Sequence, residues 1–180
     1  TLKDRTDPSA PLEHYVETMD LPAEDISKKE ADEASINAKQ YEKLYKLKLA
    51  AINANKKLSE KPRWYVPITD AYNKMQWHKK VTLRFNDDDL KFPAEIHIIR
   101  LGEIVFATNP FEYYLDFGIY IKARSSATQT FLIQLAGEGT YVPSLRSTQH
   151  GGYGSKPESN PVGPKGGQIL ADETVKIISQ

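Results

Sequence analysis

The chain of 180 residues carries 24 basic and 24 acidic side chains, 39% hydrophobic residues and no cysteine. This composition is ordinary for a globular protein with one core, and the lack of cysteine excludes disulfides and thiolate metal sites. The net charge is zero and the basic residues form no stripe, which argues against nucleic acid as the main partner. No apolar run approaches the roughly 20 residues of a transmembrane helix. Any metal must therefore be held by His, Asp, Glu or Tyr.

The N-terminal part divides into two segments. Residues 1–24 contain three prolines and scattered apolar residues, and they predict an extended lead-in that lies on a surface. Residues 26–58 are rich in Lys, Glu and Ala, and their apolar residues recur at spacings of three and four. This pattern predicts a long amphipathic helix with Asp25 as its N-cap.

The segment that follows is less clearly patterned. Pro62 ends the long helix, and residues 63–80 are ambiguous, with a candidate strand at 64–66 and a candidate helix at 69–79. The acidic run at 86–89 predicts a turn. It lacks the spacing and the terminal Glu of a calcium-binding loop, which argues against calcium.

Regular alternation of apolar residues begins near residue 94. Strands are predicted at 94–101 and 103–108, joined through Gly102 in a tight hairpin. Pro110 suits the start of a helix over 111–124. The run TQTFLIQL at 128–135 predicts a third strand, apolar enough to lie centrally in a sheet.

The remaining residues predict a functional loop and a closing helix. Residues 136–163 are glycine-rich and irregular, and residues 164–178 predict the helix. The fold class is therefore α/β with mixed layers: a long helix, then a strand–strand–helix–strand–loop–helix unit that forms part of a larger sheet domain. The predicted organisation is a lead-in at 1–24 and one domain portion at 25–180.

Two junctions at strand ends are candidate sites. Glu112 is predicted at a helix start just after a strand, where the helix dipole favours a negative charge. Tyr141 follows the glycine-rich turn after the third strand, and if the two strands are parallel neighbours both side chains lie at one edge of the sheet. The alternative is that Glu112 only complements the dipole and Tyr141 only packs.

Other polar residues carry weaker signals. His150 in the glycine-rich loop is more typical of an exposed histidine than of a metal ligand, and His97 is more typical of a core or edge strand histidine. The sequence GPKGG at 163–167 lacks the spacing of a phosphate-binding loop.

Five segments from residue 95 onward resemble, in order, motifs of the neutral/alkaline (non-lysosomal) ceramidase family. They are IRLGEI at 99–104, NPFE at 109–112, LAG at 135–137, GTYVPS at 139–144 and GGYG at 151–154. The resemblance implies the C-terminal part of a ceramidase-like catalytic domain from a distant bacterial-type relative, with a secreted or periplasmic location.

The resemblance also implies a catalytic zinc. In that family the ion is held by two histidines, a glutamate and a tyrosine, and Glu112 and Tyr141 match the last two. The histidines and a catalytic serine belong to the part of the domain before Thr1, so the resemblance places no catalytic residue in this chain. The substrate class is an N-acylsphingosine or a related N-acyl lipid, and the partner is the N-terminal remainder of the same domain.

The chain departs from the family pattern at several positions. Phe111 stands where the family has Gly, Gly137 where it has Asn, and Ser144 where it has Thr, and the turn before Tyr141 is one residue shorter. These departures leave the acyl substrate open. They also leave an alternative function, a binding or structural module that has kept the fold without the activity.

Overall fold

The computed structural model describes residues 9–87 and 89–180. They form two compact units. The first comprises the described residues up to Glu24 with 91–156 and 160–180, and the second comprises 25–90 and 157–159. Helices combine with a mixed sheet, so the predicted α/β class is confirmed. Within the described ranges, no helix is both long and apolar enough to span a bilayer.

The second unit is a hairpin of two helices, α1 (Lys28–Ala54) and α2 (Val66–Phe85). The predicted cap of the long helix is wrong, because Ser27 and not Asp25 is the N-cap. The Ser27 hydroxyl accepts from the Glu30 N–H, and the Glu30 carboxylate accepts from the Ser27 N–H. This reciprocal pair satisfies two N–H groups at the helix start, which fixes where α1 begins.

Helix α2 settles the ambiguity in residues 63–80. No strand forms at 64–66, and the helix begins at Val66 with Pro67 in its first turn.

The hairpin buries mostly small side chains between its helices, namely Ala31, Ala34, Ala38 and Ala71. The predicted acidic turn lies partly outside the described residues, because Asp88 is not among them.

The first unit contains the sheet. Its strands are β1 (Leu12–Pro22), β2 (Lys91–Leu101), β3 (Ile104–Thr108), β4 (Glu112–Tyr113), β5 (Gln129–Ile133) and β6 (Tyr141–Val142), and its helices are α3 (Leu115–Arg124), α4 (Leu145–Gln149) and α5 (Gly163–Ile178). The main sheet has the order β1-β2-β3-β5, antiparallel except for the parallel pair β3–β5. Strands β4 and β6 form a separate parallel pair.

The predicted hairpin of β2 and β3 is confirmed, and its turn residue Gly102 has φ 58°, which glycine adopts without strain. The segment predicted as a surface lead-in contains β1, which pairs with β2 over its whole length. Its residues are mostly exposed, so no apolar alternation marks it as a strand. Strand β5 pairs only with β3 among the described strands, so its predicted central place is wrong.

Helices α3 and α5 cover one face of the main sheet. The core between these two layers is made of Ala94, Ile96, Ile98, Val105 and Ala107 from the strands and of Phe117, Ile121, Leu170, Ala171 and Ile178 from the helices. On the opposite face Val16, Phe131 and Ile133 are exposed. The unit is therefore built of a helical layer on a sheet.

The helix predicted over 111–124 begins only at Leu115. Phe111 and Tyr113 are buried, and the Glu112 and Tyr114 N–H groups donate to the carbonyls of Thr140 and Val142. Because of these bonds, residues 112–114 are extended and form the β4–β6 pair. Glu112 therefore does not lie in the first turn of a helix. The predicted closing helix is confirmed as α5, and the irregular stretch before it contains β6, α4 and a short 3-10 turn.

We expect Gly167→Ala to destabilise the chain by about 1–3 kcal/mol, because an added Cβ lies 2.6 Å from both Phe117 Cζ and Val142 Cγ1. Gly118→Ala is the matched control, since its Cβ meets only Leu132 Cδ1 at 3.4 Å. Urea unfolding of both variants measures the difference. Equal stabilities would contradict the close packing of α5 described here.

Candidate metal half-site

The site is built where β3 and β5 end side by side. Asn109, directly after β3, is buried, and its N–H donates to the Ile133 carbonyl at 2.9 Å. Its side-chain oxygen accepts from the Phe111 N–H at 3.0 Å, and its own carbonyl accepts from the Ala136 N–H at 3.0 Å. Asn109 thus joins the segments that follow the two strands. The sequence predicts Asn109 only as the end of a strand; in the structure its backbone makes two of these bonds and its buried side-chain oxygen makes the third.

The turn after β5 can approach this junction only because it contains glycine. A Cβ at Gly139 would lie 2.1 Å from the Pro110 carbonyl oxygen, which is closer than any side chain allows. The Thr140 carbonyl then accepts from the Glu112 N–H at 3.0 Å, and the Val142 carbonyl accepts from the Tyr114 N–H at 3.2 Å. These two bonds form the parallel pair of β4 and β6.

Alternation along these short strands places the two predicted ligands on one face. Glu112 is opposite Tyr141, and Tyr113 is opposite Val142. Tyr113 and Val142 are buried, and the Tyr113 hydroxyl donates to the Gly167 carbonyl of α5. Since successive side chains of a strand point to opposite faces, Glu112 and Tyr141 lie together on the face away from the core.

The two side chains influence each other's protons. Hydrogen bonding to the Glu112 carboxylate raises the pKa of Tyr141 above its usual value, with partial burial and the Glu112 charge as further causes. Glu112 itself is exposed and Tyr141 half-buried. A carboxylate and a phenol that keeps its proton are therefore neighbours at an accessible edge.

Two more tyrosines contact the Tyr141 ring. The Tyr114 and Tyr153 rings meet the Tyr141 ring edge to face, with centroids 6.5 Å and 5.7 Å away. The Gly154 N–H donates to the Tyr114 hydroxyl at 2.9 Å, and a Cβ on Gly154 would lie 2.6 Å from the Tyr141 ring. The segments 109–112, 139–144 and 151–154 thus meet at one place, and the last glycine of the third is required for the contact.

The histidines are placed elsewhere. His150 is exposed at the end of α4, with Nδ1 3.0 Å from the Arg146 carbonyl. His97 lies on the open face of the main sheet, where His14 Nε2 is 2.9 Å from its Nδ1. Among the side chains that the structure describes, no group of three or more His, Asp or Glu is arranged to hold a metal ion. The Glu112–Tyr141 pair therefore offers two ligands and no more.

Ser144 and the glycines at 163–167 have structural roles. The Ser144 hydroxyl is the N-cap of α4 and accepts from the Ser147 N–H at 3.4 Å. A Cβ at Gly163 would overlap the Glu24 carboxylate, and Gly166 and Gly167 pack closely on neighbouring side chains. The glycines at 163–167 therefore serve close packing, with the Glu24 carboxylate directly beside Gly163.

Comparison of the chain with models of protein families, with curated proteins and with solved structures found no match.

We expect Glu112→Gln to lower the pKa of Tyr141 toward its ordinary value, because the substitution removes the carboxylate charge that holds the phenol proton. The raised pKa in the folded chain means that this bond stabilises the fold fully below about pH 10, and that its contribution is lost as the pH rises through the folded pKa. NMR titration of ¹³Cζ-labelled tyrosine checks this. Glu138→Gln, in the adjacent turn, is the control, and an identical Tyr141 titration in Glu112→Gln would contradict the assigned bond.

Proposed function

We propose that the chain is the C-terminal part of a ceramidase-like catalytic domain, in which Glu112 and Tyr141 are two of the ligands of a catalytic zinc. The complete protein would hydrolyse the amide bond of an N-acylsphingosine or a related N-acyl lipid. The observation that supports this most directly is the register of β4 and β6, which sets Glu112 opposite Tyr141 so that the carboxylate raises the pKa of the phenol. The remaining ligands, two histidines, and a catalytic serine are assigned to the N-terminal remainder of the same domain.

The donor set suits zinc. Glutamate oxygen is a common zinc ligand, and a phenol oxygen adds a second oxygen donor. The two residues are opposite each other in the β4–β6 register, and a divalent cation bound by the carboxylate would displace the proton of the neighbouring phenol. Bound zinc acidifies a water molecule and polarises an amide carbonyl, which is the chemistry that amide hydrolysis requires.

The residues of this chain have distinct tasks in that proposal. Glu112 supplies a full negative charge at an exposed position, and Tyr141 is neutral until its proton is displaced. The rings of Tyr114 and Tyr153 border one side of Tyr141 and restrict its movement. Since Tyr153 is 79% exposed, it is also the aromatic side chain most available to an apolar substrate beside the pair.

We expect Glu112→Ala in the complete protein to lower kcat/KM for ceramide by at least about a hundredfold, since even loss of an outer-shell partner of a metal ligand typically costs about 10–100-fold. Its free energy of unfolding should change by less than about 0.5 kcal/mol, because the side chain is exposed. Release of fatty acid is the measurement, with Glu138→Ala as the control.

Near wild-type activity of Glu112→Ala would contradict the ligand assignment. An inactive complete protein that binds no zinc would favour the non-catalytic module instead. The 180-residue chain alone should release no fatty acid, because it offers only two ligands, and release by the chain alone would overturn the proposal.

Tyr141→Phe tests the second ligand. We expect weaker zinc affinity and a smaller loss of activity than in Glu112→Ala, because the phenol is one ligand among four and the ring that packs on Gly154 is kept. Tyr153→Phe is the matched control, since it removes a hydroxyl from the neighbouring ring. Zinc content by atomic absorption and ceramide hydrolysis are measured together, and if neither changes in Tyr141→Phe, its role as a ligand is refuted.

A further inference from the structure

The connection between α1 and α2 is both basic and aromatic. Residues 55–66, NKKLSEKPRWYV, which we term the hairpin tip, contain four cations and one carboxylate. The segment forms a 3-10 turn at Lys56–Glu60 and then a further turn, in which Arg63 has φ 58°. An L-residue such as arginine is strained in this left-handed conformation, which glycine adopts freely. Arg63 therefore places a cation at a backbone position where glycine would be less strained.

The apolar side chains of the tip are presented to solvent. Every residue from 60 to 67 is exposed. Trp64 and Tyr65 are 40% and 54% exposed and contact each other edge to face at 6.1 Å. Large aromatic side chains grouped in this way at the surface mark an interaction site more often than isolated exposed residues do.

The cations of the tip differ from the lysines of the two helices in their ion pairing. Along the two helices, lysines form ion pairs, such as Lys28 with Asp32 at 3.2 Å, Lys46 with Glu42 at 2.8 Å and Lys74 with Asp70 at 3.0 Å. No ion pair joins Lys56, Lys57, Lys61 or Arg63 to any side chain in the described part of the chain. Positive charge is therefore available at the tip, although the chain as a whole is neutral.

We propose that the hairpin tip docks on membrane surfaces that contain anionic lipid. Lysine and arginine near such a surface each contribute to attraction by lipid phosphates, and tryptophan and tyrosine favour the boundary between headgroups and acyl chains. Pro62 and Val66, also in the tip, are exposed and apolar, and apolar side chains fit the boundary of a lipid bilayer better than the phosphate backbone of a nucleic acid. The docking needs neither zinc nor hydrolysis, so it does not rest on the function proposed above.

Sedimentation with lipid vesicles tests the proposal on the full chain. We expect binding to vesicles of phosphatidylcholine with phosphatidylserine, weak binding to phosphatidylcholine alone, and weaker binding as salt is raised, because exposed charges are screened. The chain has two tryptophans. In the Trp77→Phe variant, Trp64 is the only tryptophan that fluoresces. Its emission maximum should move to shorter wavelength when anionic vesicles are added, because the indole ring leaves water.

Matched variants distinguish the contribution of the tip to binding from the effects of the net charge and of exposed apolar residues elsewhere. Lys56→Gln, Lys57→Gln and Lys61→Gln combined should weaken binding more than about tenfold. The control combination Lys28→Gln, Lys29→Gln and Lys46→Gln makes the same change in net charge on α1 and should leave binding unchanged. Likewise Trp64→Ala should weaken binding and Trp77→Ala, which alters another exposed tryptophan, should not.

Four results would overturn the proposal. The wild type could bind both kinds of vesicle equally, or bind neither. The tip and control variants could lose the same affinity, or the tip could bind a single-stranded RNA oligonucleotide while the chain binds no vesicles. Circular dichroism of each variant verifies that the two helices remain folded, so that a lost interaction is assigned to the tip itself.

Discussion

Burial of alternate residues in a pair of two-residue strands determines the geometry of the candidate site. Tyr113 and Val142 lie in the core, and the Tyr113 hydroxyl is bonded to the backbone of α5. Their neighbours Glu112 and Tyr141 must then lie together on the other face, because side chains alternate along a strand. A shift of the register by one residue would exchange the buried and exposed sets. The core of the first unit thus positions two polar side chains that contribute little to it.

Close backbone approach makes this register possible, and specific small or polar residues permit it. Gly139 lets the turn after β5 contact the Pro110 carbonyl, and Gly154 lets the following loop contact Tyr141. Buried Asn109 joins the ends of β3 and β5. The loop that carries these glycines is therefore packed against the ends of the parallel strands, where ligand sites of α/β sheets are usually found.

Strong periodicity made part of this fold predictable. The β2–β3 hairpin and α5 follow from alternation and helical spacing. Strand β1 was missed because most of its side chains are exposed, and β4 and β6 because two residues have no measurable period. The pairing of Glu112 with Tyr141 was expected on the condition that their strands are parallel neighbours, and they are, although in a separate pair of strands. Their role as metal ligands comes from family resemblance and remains a prediction.

Anomalous diffraction at the zinc edge, from crystals of the complete protein, would locate a bound ion relative to Glu112 and Tyr141. We expect one anomalous peak within about 2.0–2.2 Å of both a Glu112 carboxylate oxygen and the Tyr141 phenol oxygen. A zinc peak bound elsewhere would contradict the ligand assignment.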